Sequence, residues 1–248
     1  MFKYLLLSLL AMTTLSMADT QTIRFGTDAT YPPFESMSPS GQIQGFDIDV
    51  INAMCQQLKV QCTFTHQAWD SLIPALQLGK FDAMFGAMNI TAEREQQVDF
   101  TEPYYHNTAS IVAAKKAQLQ LTPESLRGKT IGVLSGATFA PYLQAKYGNS
   151  VKVNSYDSEQ TAFLDLTAGR IDAVMGDTPL IKHWLQTHQE QYEIVGQPID
   201  DEKYFGRGYA IAVRKGNKAL LNQLNQALAA IKANGTLQKI NQQYFGNN

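Results

Sequence analysis

The sequence predicts an α/β protein built from two similar lobes, each with a mainly parallel sheet covered by helices. Short strand-like runs alternate with helical stretches of about 10–15 residues, a pattern typical of parallel sheets flanked by helices. One segment of the first half also recurs in the second half at a constant offset. The length of 248 residues, 44% of them hydrophobic, is enough for one large domain or two modest ones.

Residues 1–18 are typical of a secretory signal peptide and are excluded from the predicted fold. Lys3 supplies a positive charge, residues 5–12 form an apolar run, and Ser16-Met17-Ala18 ends in small residues suited to a cleavage site. The apolar run is too short to span a membrane. We therefore expect cleavage after Ala18 and export of the mature chain.

The elements follow in order along the mature chain. Strands are predicted at residues 22–26, 60–65 and 82–86 in the first lobe and at 130–133, 151–155 and 172–176 in the second. Helices are predicted at residues 47–58, 70–78, 158–167, 218–233 and 236–244, the last two after a strand at 208–213. Because this final unit follows the second lobe, we expect it to return to the first. The predicted lobes are residues 19–107 plus 203–248 and residues 108–202, joined by extended hinge strands near 105–109 and 198–203.

The internal repeat pairs residues 76–86 with residues 166–176, an offset of 90. Both copies contain glycine followed by a basic residue, then Asp-Ala, then a closing glycine. Glycine suits the left-handed position that ends a helix, and a basic side chain there meets the negative end of the helix dipole. We interpret the match as two copies of one lobe rather than as coincidence.

Cys55 and Cys62 are the two cysteines of the chain. In an oxidising compartment, a pair seven positions apart indicates a disulfide more than a redox or zinc site. Such a bond would join the end of the helix at 47–58 to the strand at 60–65, with a stabilisation of roughly 2–3 kcal/mol.

The loops that follow the parallel strands are the expected ligand site. In open α/β sheets, ligands bind outside the carboxyl ends of the strands and near helix N-termini. This rule selects residues 28–35, 86–94, 134–138 and 177–179. We expect these loops to face one another across a cleft between the lobes.

These loops carry two kinds of binding group, one suited to an anion and the other to a cation. Ser135 to Thr138 are small residues that open a helix, so their main-chain N–H groups could hold a carboxylate, with Arg94 as a guanidinium clamp. Acidic residues (Asp28, Glu35 and Asp177) and aromatic residues (Tyr31 and Trp69) stand in the other loops. An amino acid with a cationic side chain fits that combination.

The same residues also have ordinary structural interpretations. The two aspartates could cap the helices that follow them, and the two aromatic side chains could belong to the core. Arg94 could form a surface salt bridge with Glu93 or Asp99. Asp47 and Asp49 are interpreted as acids at a helix start rather than as metal ligands, and no metal or cofactor is expected. The near-neutral formal charge of −2 argues against a nucleic-acid partner.

Seven motifs together resemble the periplasmic amino-acid-binding proteins of ABC importers. They lie at residues 26–35 (Gly-Thr-Asp-Ala-Thr-Tyr-Pro-Pro-Phe-Glu), 45–49, 70–74, 90–94, 100–105, 132–138 and 204–206. The resemblance covers essentially the whole mature chain and points to the branch for arginine, lysine, ornithine and histidine. The Pro-Pro-Phe-Glu-Ser and Gly-Asp-Thr stretches are most similar to its arginine-binding members.

The resemblance implies a two-lobed periplasmic-binding-protein fold of type II with two hinge strands. It also implies a monomer in the periplasm that captures L-arginine, or another basic amino acid, and delivers it to the permease of an ABC importer. By the same resemblance, Arg94 and Thr138 hold the ligand carboxylate and Asp177 its α-ammonium group. Tyr31 and Trp69 sandwich the side chain, whose distal charge meets Asp28 and Glu35. The predicted ligand-binding set is Asp28, Tyr31, Glu35, Trp69, Gly86, Met88, Thr91, Arg94, Ser135, Ala137, Thr138 and Asp177.

Departures from the lysine, arginine and ornithine pattern leave the ligand open among the basic amino acids. Gly86, Ala87 and Asn89 replace serines of that pattern, so Gly86 and Met88 are expected to offer only main-chain groups. Phe139 replaces a polar residue, and Trp69 a smaller aromatic one.

Two other functions remain open at this point. A periplasmic dehydratase of the same fold, acting on prephenate-like acids, could use Glu35 and Asp177 as acid and base. The sequence contains no nucleophile–base set, metal cluster or GxSxG motif that would support an enzyme. We therefore expect no enzymatic activity. A sensor domain of a receptor is disfavoured because no membrane-spanning segment follows the second lobe.

Overall fold

The computed structural model describes residues 21–246, so the predicted signal peptide and its cleavage site lie outside the described residues. The strands are β1 (Thr22–Thr27), β2 (Thr30–Tyr31), β3 (Glu35–Met37), β4 (Ile43–Gln44), β5 (Gln61–His66), β6 (Ala83–Met84), β7 (Val98–Phe100), β8 (Ala109–Ala114), β9 (Thr130–Leu134), β10 (Lys152–Tyr156), β11 (Ala173–Asp177), β12 (Tyr192–Ile194) and β13 (Ala212–Arg214). The helices are α1 (Phe46–Leu58), α2 (Leu72–Gln77), α3 (Ala92–Glu95), α4 (Pro123–Leu126), α5 (Phe139–Tyr147), α6 (Glu159–Thr167), α7 (Thr178–His188), α8 (Glu202–Phe205), α9 (Lys218–Ala233) and α10 (Thr236–Phe245).

Two five-stranded sheets of matching design dominate the fold. The first has the order β5-β1-β6-β13-β7 and the second β10-β9-β11-β8-β12, and a small antiparallel sheet β2-β3-β4 accompanies the first. In each large sheet the first three strands are parallel, and the last two are antiparallel to their neighbours. The predicted α/β class with mainly parallel sheets is therefore confirmed.

The two sheets exchange strands where the chain crosses between them. After β7, at the edge of the first sheet, the chain enters the second as its fourth strand, β8. After β12, at the edge of the second sheet, it returns as β13, the fourth strand of the first. The crossing segments pair with the segments beside them, because Ala109 bridges Ile199 and Tyr105 bridges Tyr209. The exact lobe boundaries at residues 107/108 and 202/203 stay a prediction.

The return strand is shorter than its sequence pattern indicates. Residues 208–213 were expected to form one strand, whereas β13 begins at Ala212. Gly208 has a φ of +112°, and Tyr209 and Ala210 bond to loop residues rather than to one neighbouring strand. The hydrogen-bond partners thus change along the crossing segment, and regular strand pairing begins only at Ala212.

The internal repeat forms the same turn twice. Gly79 and Gly169 have φ values of +74° and +71°, which glycine adopts without steric cost. After each glycine, the main-chain N–H of the basic residue, Lys80 or Arg170, donates to a carbonyl five residues earlier, at 3.1 and 2.9 Å. This pattern closes the end of each preceding helix and aims the chain into its buried strand.

The aspartate of the repeat ties its strand to the parallel neighbour. Asp82 accepts the main-chain N–H of Arg24 at 3.0 Å and pairs with its guanidinium at 2.8 Å. Asp172 likewise accepts the main-chain N–H of Thr130 at 2.8 Å and the ammonium group of Lys129 at 3.1 Å. In both lobes, the aspartate of the repeated Asp-Ala thus accepts a main-chain N–H from the parallel strand next to its own.

Helices and a disulfide cover the first sheet. Helix α1 packs against both α9 and α10, so the two C-terminal helices lie on the side of the first sheet. The predicted disulfide between Cys55 and Cys62 is present and joins α1 to β5. Helix α8 packs against α5 instead, because Phe205 contacts the rings of Phe139 and Tyr142. Within residues 21–246, no helix is both long and apolar enough to cross a bilayer.

We predict that Asp82→Ala and Asp172→Ala each lower the free energy of unfolding by about 1–2 kcal/mol, since each leaves a strand N–H without its partner. Urea denaturation followed by tryptophan fluorescence measures the change. Glu193→Ala, at an exposed position of β12, is the matched control. Equal stability of the aspartate variants and this control would show that these hydrogen bonds do not stabilise the fold.

Candidate functional site

A largely enclosed cavity lies between the two sheets, where the carboxyl ends of their parallel strands face each other. Nine residues of the predicted set line it: Asp28, Tyr31, Glu35, Trp69, Gly86, Arg94, Ala137, Thr138 and Asp177. Six lining residues lie outside that set: Thr30, Ala87, Asn89, Leu134, Phe139 and Glu159. Both lobes contribute to each group.

The structure places Met88 in the core rather than in the cavity. Its side chain is buried in a cluster with Leu72 and Phe81, and its main-chain carbonyl accepts the N–H of Ala210 at 3.0 Å. Ala87, with a φ of +46°, turns the chain so that its own side chain lines the cavity. The main-chain carbonyl of Met88, expected to be available to the ligand, thus bonds to the crossing segment instead.

Thr91 and Ser135 also lie outside the cavity lining. The Thr91 hydroxyl caps helix α3 by accepting the main-chain N–H of Arg94 at 3.3 Å. The main-chain N–H of Ser135 donates to Tyr156 at 2.8 Å and so extends the pairing of β9 with β10. Both residues support the loops that carry Arg94 and Thr138.

Arg94 is a buried side chain, which excludes the alternative of a surface salt bridge. Its guanidinium donates to the carbonyl of Asn89 at 3.1 Å and, from the other lobe, to that of Gly136 at 3.3 Å. The guanidinium carbon lies 5.2 Å from the ring centre of Trp69. Burial lowers the pKa of Arg94 to about 10, so the group keeps its charge at neutral pH.

The start of helix α5 lies beside this cation. Thr138 precedes the first helical residue, and its hydroxyl makes no capping hydrogen bond. Ala137 and Thr138 both line the cavity. Arg94 and the N-terminus of α5, a helix of nine residues, therefore favour an anionic group at their end of the cavity.

Asp177 ends β11 and connects the lobes. Its carboxylate accepts the Tyr31 hydroxyl at 2.5 Å and also the side-chain amide of Asn107. It makes no capping hydrogen bond to α7, so the capping interpretation does not apply. Burial raises the pKa of Asp177, while these two donors and the charge of Arg94 favour its ionised form.

Asp28 holds the aromatic wall of the cavity in place. Its carboxylate accepts the main-chain N–H of Trp69 at 2.9 Å and the Thr30 hydroxyl at 2.8 Å. The side-chain amide of Gln160, from the second lobe, donates to the main-chain carbonyl of Thr30. Together with the Tyr31–Asp177 and Arg94–Gly136 contacts, this bond holds the lobes together across the cavity.

Glu35, in the cavity lining, forms a buried acidic pair with Asp47, which lies behind the wall. Asp47 accepts the main-chain N–H of Ala87 at 3.0 Å and so fixes the turn on which Ala87 stands. Burial raises the pKa of Asp47 to about 6. Burial and the nearby Asp47 raise the pKa of Glu35 well above its usual range. Asp47, interpreted from sequence only as a helix-start acid, thus also shapes the site.

Glu159 is the lining residue that sequence reasoning missed. It is the first residue of α6, directly after the carboxyl end of β10, and only 1% of it is exposed. Burial raises its pKa well above the usual range, and Asp177 and Asp28 add to that shift. The rule that selected the other loops could have found it, because it also stands at a helix start beyond a strand.

Comparison with known proteins places the chain in one family. A family model described as bacterial extracellular solute-binding proteins, family 3, matches residues 23–247. ABC transporter arginine-binding protein 1 of Escherichia coli K12 is 49% identical over 245 residues, which cover 99% of both chains. The L-arginine-binding protein of Pseudomonas aeruginosa is 43% identical over 99% of this chain and 97% of its own. A Salmonella typhimurium periplasmic binding protein, described as highly arginine-specific, superposes with a TM-score of 0.85 and 41% identity, covering 91% of this chain and 100% of its own.

The raised pKa of Asp47 predicts a pH effect on stability. A carboxyl with a folded pKa of about 6, above its ordinary 3.8, binds its proton more tightly in the folded state. Its contribution is therefore present at low pH and is lost as the pH rises from about 4 to about 6. We expect Asp47→Asn to gain stability relative to the wild type over this interval, by roughly 2–3 kcal/mol. Urea denaturation at a series of pH values measures the difference, with Asp157→Asn, at an exposed position, as the control. A difference that stays constant with pH would contradict the prediction.

Proposed function

The chain belongs to family 3 of the bacterial extracellular solute-binding proteins, with the type II periplasmic-binding fold, and we propose that it binds a basic amino acid between its lobes. The proposed ligand is L-arginine, and the proposed task is its delivery to the permease of an ABC importer. We further propose a monomer that reaches the periplasm through the signal peptide at residues 1–18, with cleavage after Ala18.

The charge arrangement of the cavity carries this proposal. Four carboxyl side chains line it (Asp28, Glu35, Glu159 and Asp177), against one cationic side chain, Arg94. A buried carboxylate without a paired cation is costly. A ligand with one carboxylate and two cationic groups would meet Arg94 and also neutralise part of the acidic excess. Among the common amino acids, only the basic ones have this combination.

The role of each end follows from its neighbours. The ligand carboxylate would lie between Arg94 and the start of α5, where the Thr138 hydroxyl makes no capping hydrogen bond. The α-ammonium group would donate to Asp177, whose position is held by Tyr31. The aliphatic part of the side chain would pack against Tyr31 and Trp69, and its distal charge would meet Asp28 and Glu35.

Arginine is favoured over lysine, ornithine and histidine by the shape of its charge. A guanidinium is planar and offers five N–H donors, whereas an ammonium group is a compact charge with three. Several carboxyl groups around the distal part of the cavity can therefore be satisfied at once by a guanidinium. The two relatives and the solved structure reported above are all described as binding arginine.

Closure follows from contacts that both lobes make. Tyr31 and Arg94 belong to the first lobe and bond to Asp177 and Gly136 of the second. A ligand that also bonds to both lobes would stabilise the closed arrangement over an open one. The two crossing segments would bend during this motion, and the closed form would be the one presented to the permease.

An enzymatic function is not favoured, although Glu35 and Glu159 have the raised pKa of potential general acids. Burial beside other acidic groups produces the same shift without any catalytic role. The relatives named above are binding proteins by description. An assay for turnover of a cyclohexadienyl acid separates the functions, and we expect none.

The proposed function predicts a clear calorimetric result. We expect the mature protein, titrated with each of the twenty common amino acids, to bind arginine with micromolar or tighter affinity and neutral or acidic amino acids far more weakly. Lysine, ornithine and histidine serve as the matched comparisons for the choice among cations. Absence of such binding to every basic amino acid would overturn the proposal.

We predict that Arg94→Ala lowers the affinity for arginine at least tenfold, because about 2 kcal/mol of charge-assisted hydrogen bonding to the carboxylate is lost. Agmatine, which lacks that carboxylate, should lose much less affinity in the same variant. Arg207→Ala, which removes an exposed arginine paired with Glu95, is the control and should bind both ligands as the wild type does. Unchanged arginine binding by Arg94→Ala would remove Arg94 from the site.

A further inference from the structure

We propose that Glu159 is a specificity-determining contact, through which the second lobe completes a distal cation subsite with Asp28 and Glu35 of the first. This subsite would select a guanidinium side chain over a neutral one of the same shape. The inference rests on the proposed function and adds to it a residue that the family motifs in the sequence do not contain.

Glu159 is buried, and no other described residue donates a hydrogen bond to its carboxylate. The residue lines the cavity with 1% exposure. An isolated carboxylate in such a place is strongly unfavourable unless a cation joins it. The structure therefore leaves a position suited to a cation that comes from outside.

Glu159 lies at the acidic end of the cavity rather than beside Arg94. The next residue, Gln160, donates to the carbonyl of Thr30, and the hydroxyl of Thr30 donates to Asp28. Beyond the effect of burial, the charges of Asp177 and Asp28 raise the pKa of Glu159. The charges that act on Arg94 are those of Asp177 and Glu93, and the guanidinium donates to two main-chain carbonyls. Arg94 thus serves the opposite end and does not neutralise Glu159.

The local structure of helix α6 does not explain why a buried acidic residue stands at position 159. Helix α6 is capped by Ser158, whose hydroxyl accepts the main-chain N–H of Thr161 at 3.3 Å. An acidic residue in a first helical turn is favoured by the helix dipole, but an exposed one gains this without burial. The penalty of burying an unpaired carboxylate is larger than that gain.

The position of α6 makes this contact a link between lobes. The next residue, Gln160, already donates its side-chain amide to the carbonyl of Thr30 across the interface. A guanidinium held by Asp28 and Glu35 on one side and by Glu159 on the other would tie the lobes at a second place, remote from Arg94. Recognition of the distal charge would then contribute directly to closure.

Calorimetric titrations of Glu159→Gln with arginine and with citrulline, its neutral isostere, test the inference. We expect the affinity for arginine to fall about tenfold or more, because a charge-assisted hydrogen bond becomes a neutral one, and that for citrulline to change less than about threefold. Glu159→Asp keeps the charge and should keep a preference for arginine over citrulline. Glu193→Gln, at an exposed position of the same lobe, should match the wild type.

The outcomes separate this inference from the proposed function. If the wild type binds arginine and Glu159→Gln binds it equally well, the inference is overturned and the proposed function stands. Equal losses for arginine and citrulline in a variant that keeps the wild-type melting temperature would also overturn it, because they would show a role in shape rather than charge. Absence of basic amino-acid binding by the wild type would overturn both.

Discussion

The enclosure of several carboxyl groups with a single arginine is the constraint on which the rest of this structure depends. Asp28, Glu35, Glu159 and Asp177 line one cavity with Arg94, away from most water. A folded chain tolerates such an excess of one charge only if donors hold the carboxylates, if protons neutralise them, or if a cation enters. The molecule uses the first two solutions for the part of the site that it satisfies itself. The third is the basis of the proposed function.

The donors are main-chain N–H groups, hydroxyls and the side-chain amide of Asn107. Asp28 accepts the N–H of Trp69, and Asp47, just behind the wall, accepts that of Ala87. Each bond therefore positions a neighbouring loop as well as satisfying an acid. Glu35 and Glu159 have raised pKa values instead, which marks the part of the cavity where the protein itself supplies least. Stability and recognition are thus opposed there, because any internal cation added to stabilise the acids would occupy the place of the ligand.

The exchange of strands explains how one cavity receives residues from both lobes. Each sheet takes its fourth strand from chain that has just crossed over, so two adjacent segments connect the lobes and the cavity lies between them. The repeated turn and the hydrogen bonds of Asp82 and Asp172 position the parallel strands of both sheets in the same way. The carboxyl ends of these strands, and the loops after them, face one another. Contacts such as Tyr31–Asp177 then form between loops that are 146 residues apart in sequence.

The sequence by itself determined what depends on local pattern: the strand and helix alternation, the repeat, the disulfide, and the loops that follow parallel strands. Because those loops must meet at one edge, nine of the twelve residues predicted for the ligand lie together around the cavity. Only the tertiary structure decided which side chains of a loop face inward. Ala87 lines the cavity and Met88 the core because the backbone turns at residues 86 and 87, which residue type alone does not reveal. Glu159 likewise appears as an ordinary acid at a helix start until the fold buries it in the cavity lining, because the burial of a charge depends on the residues packed around it and not on the residue that carries it.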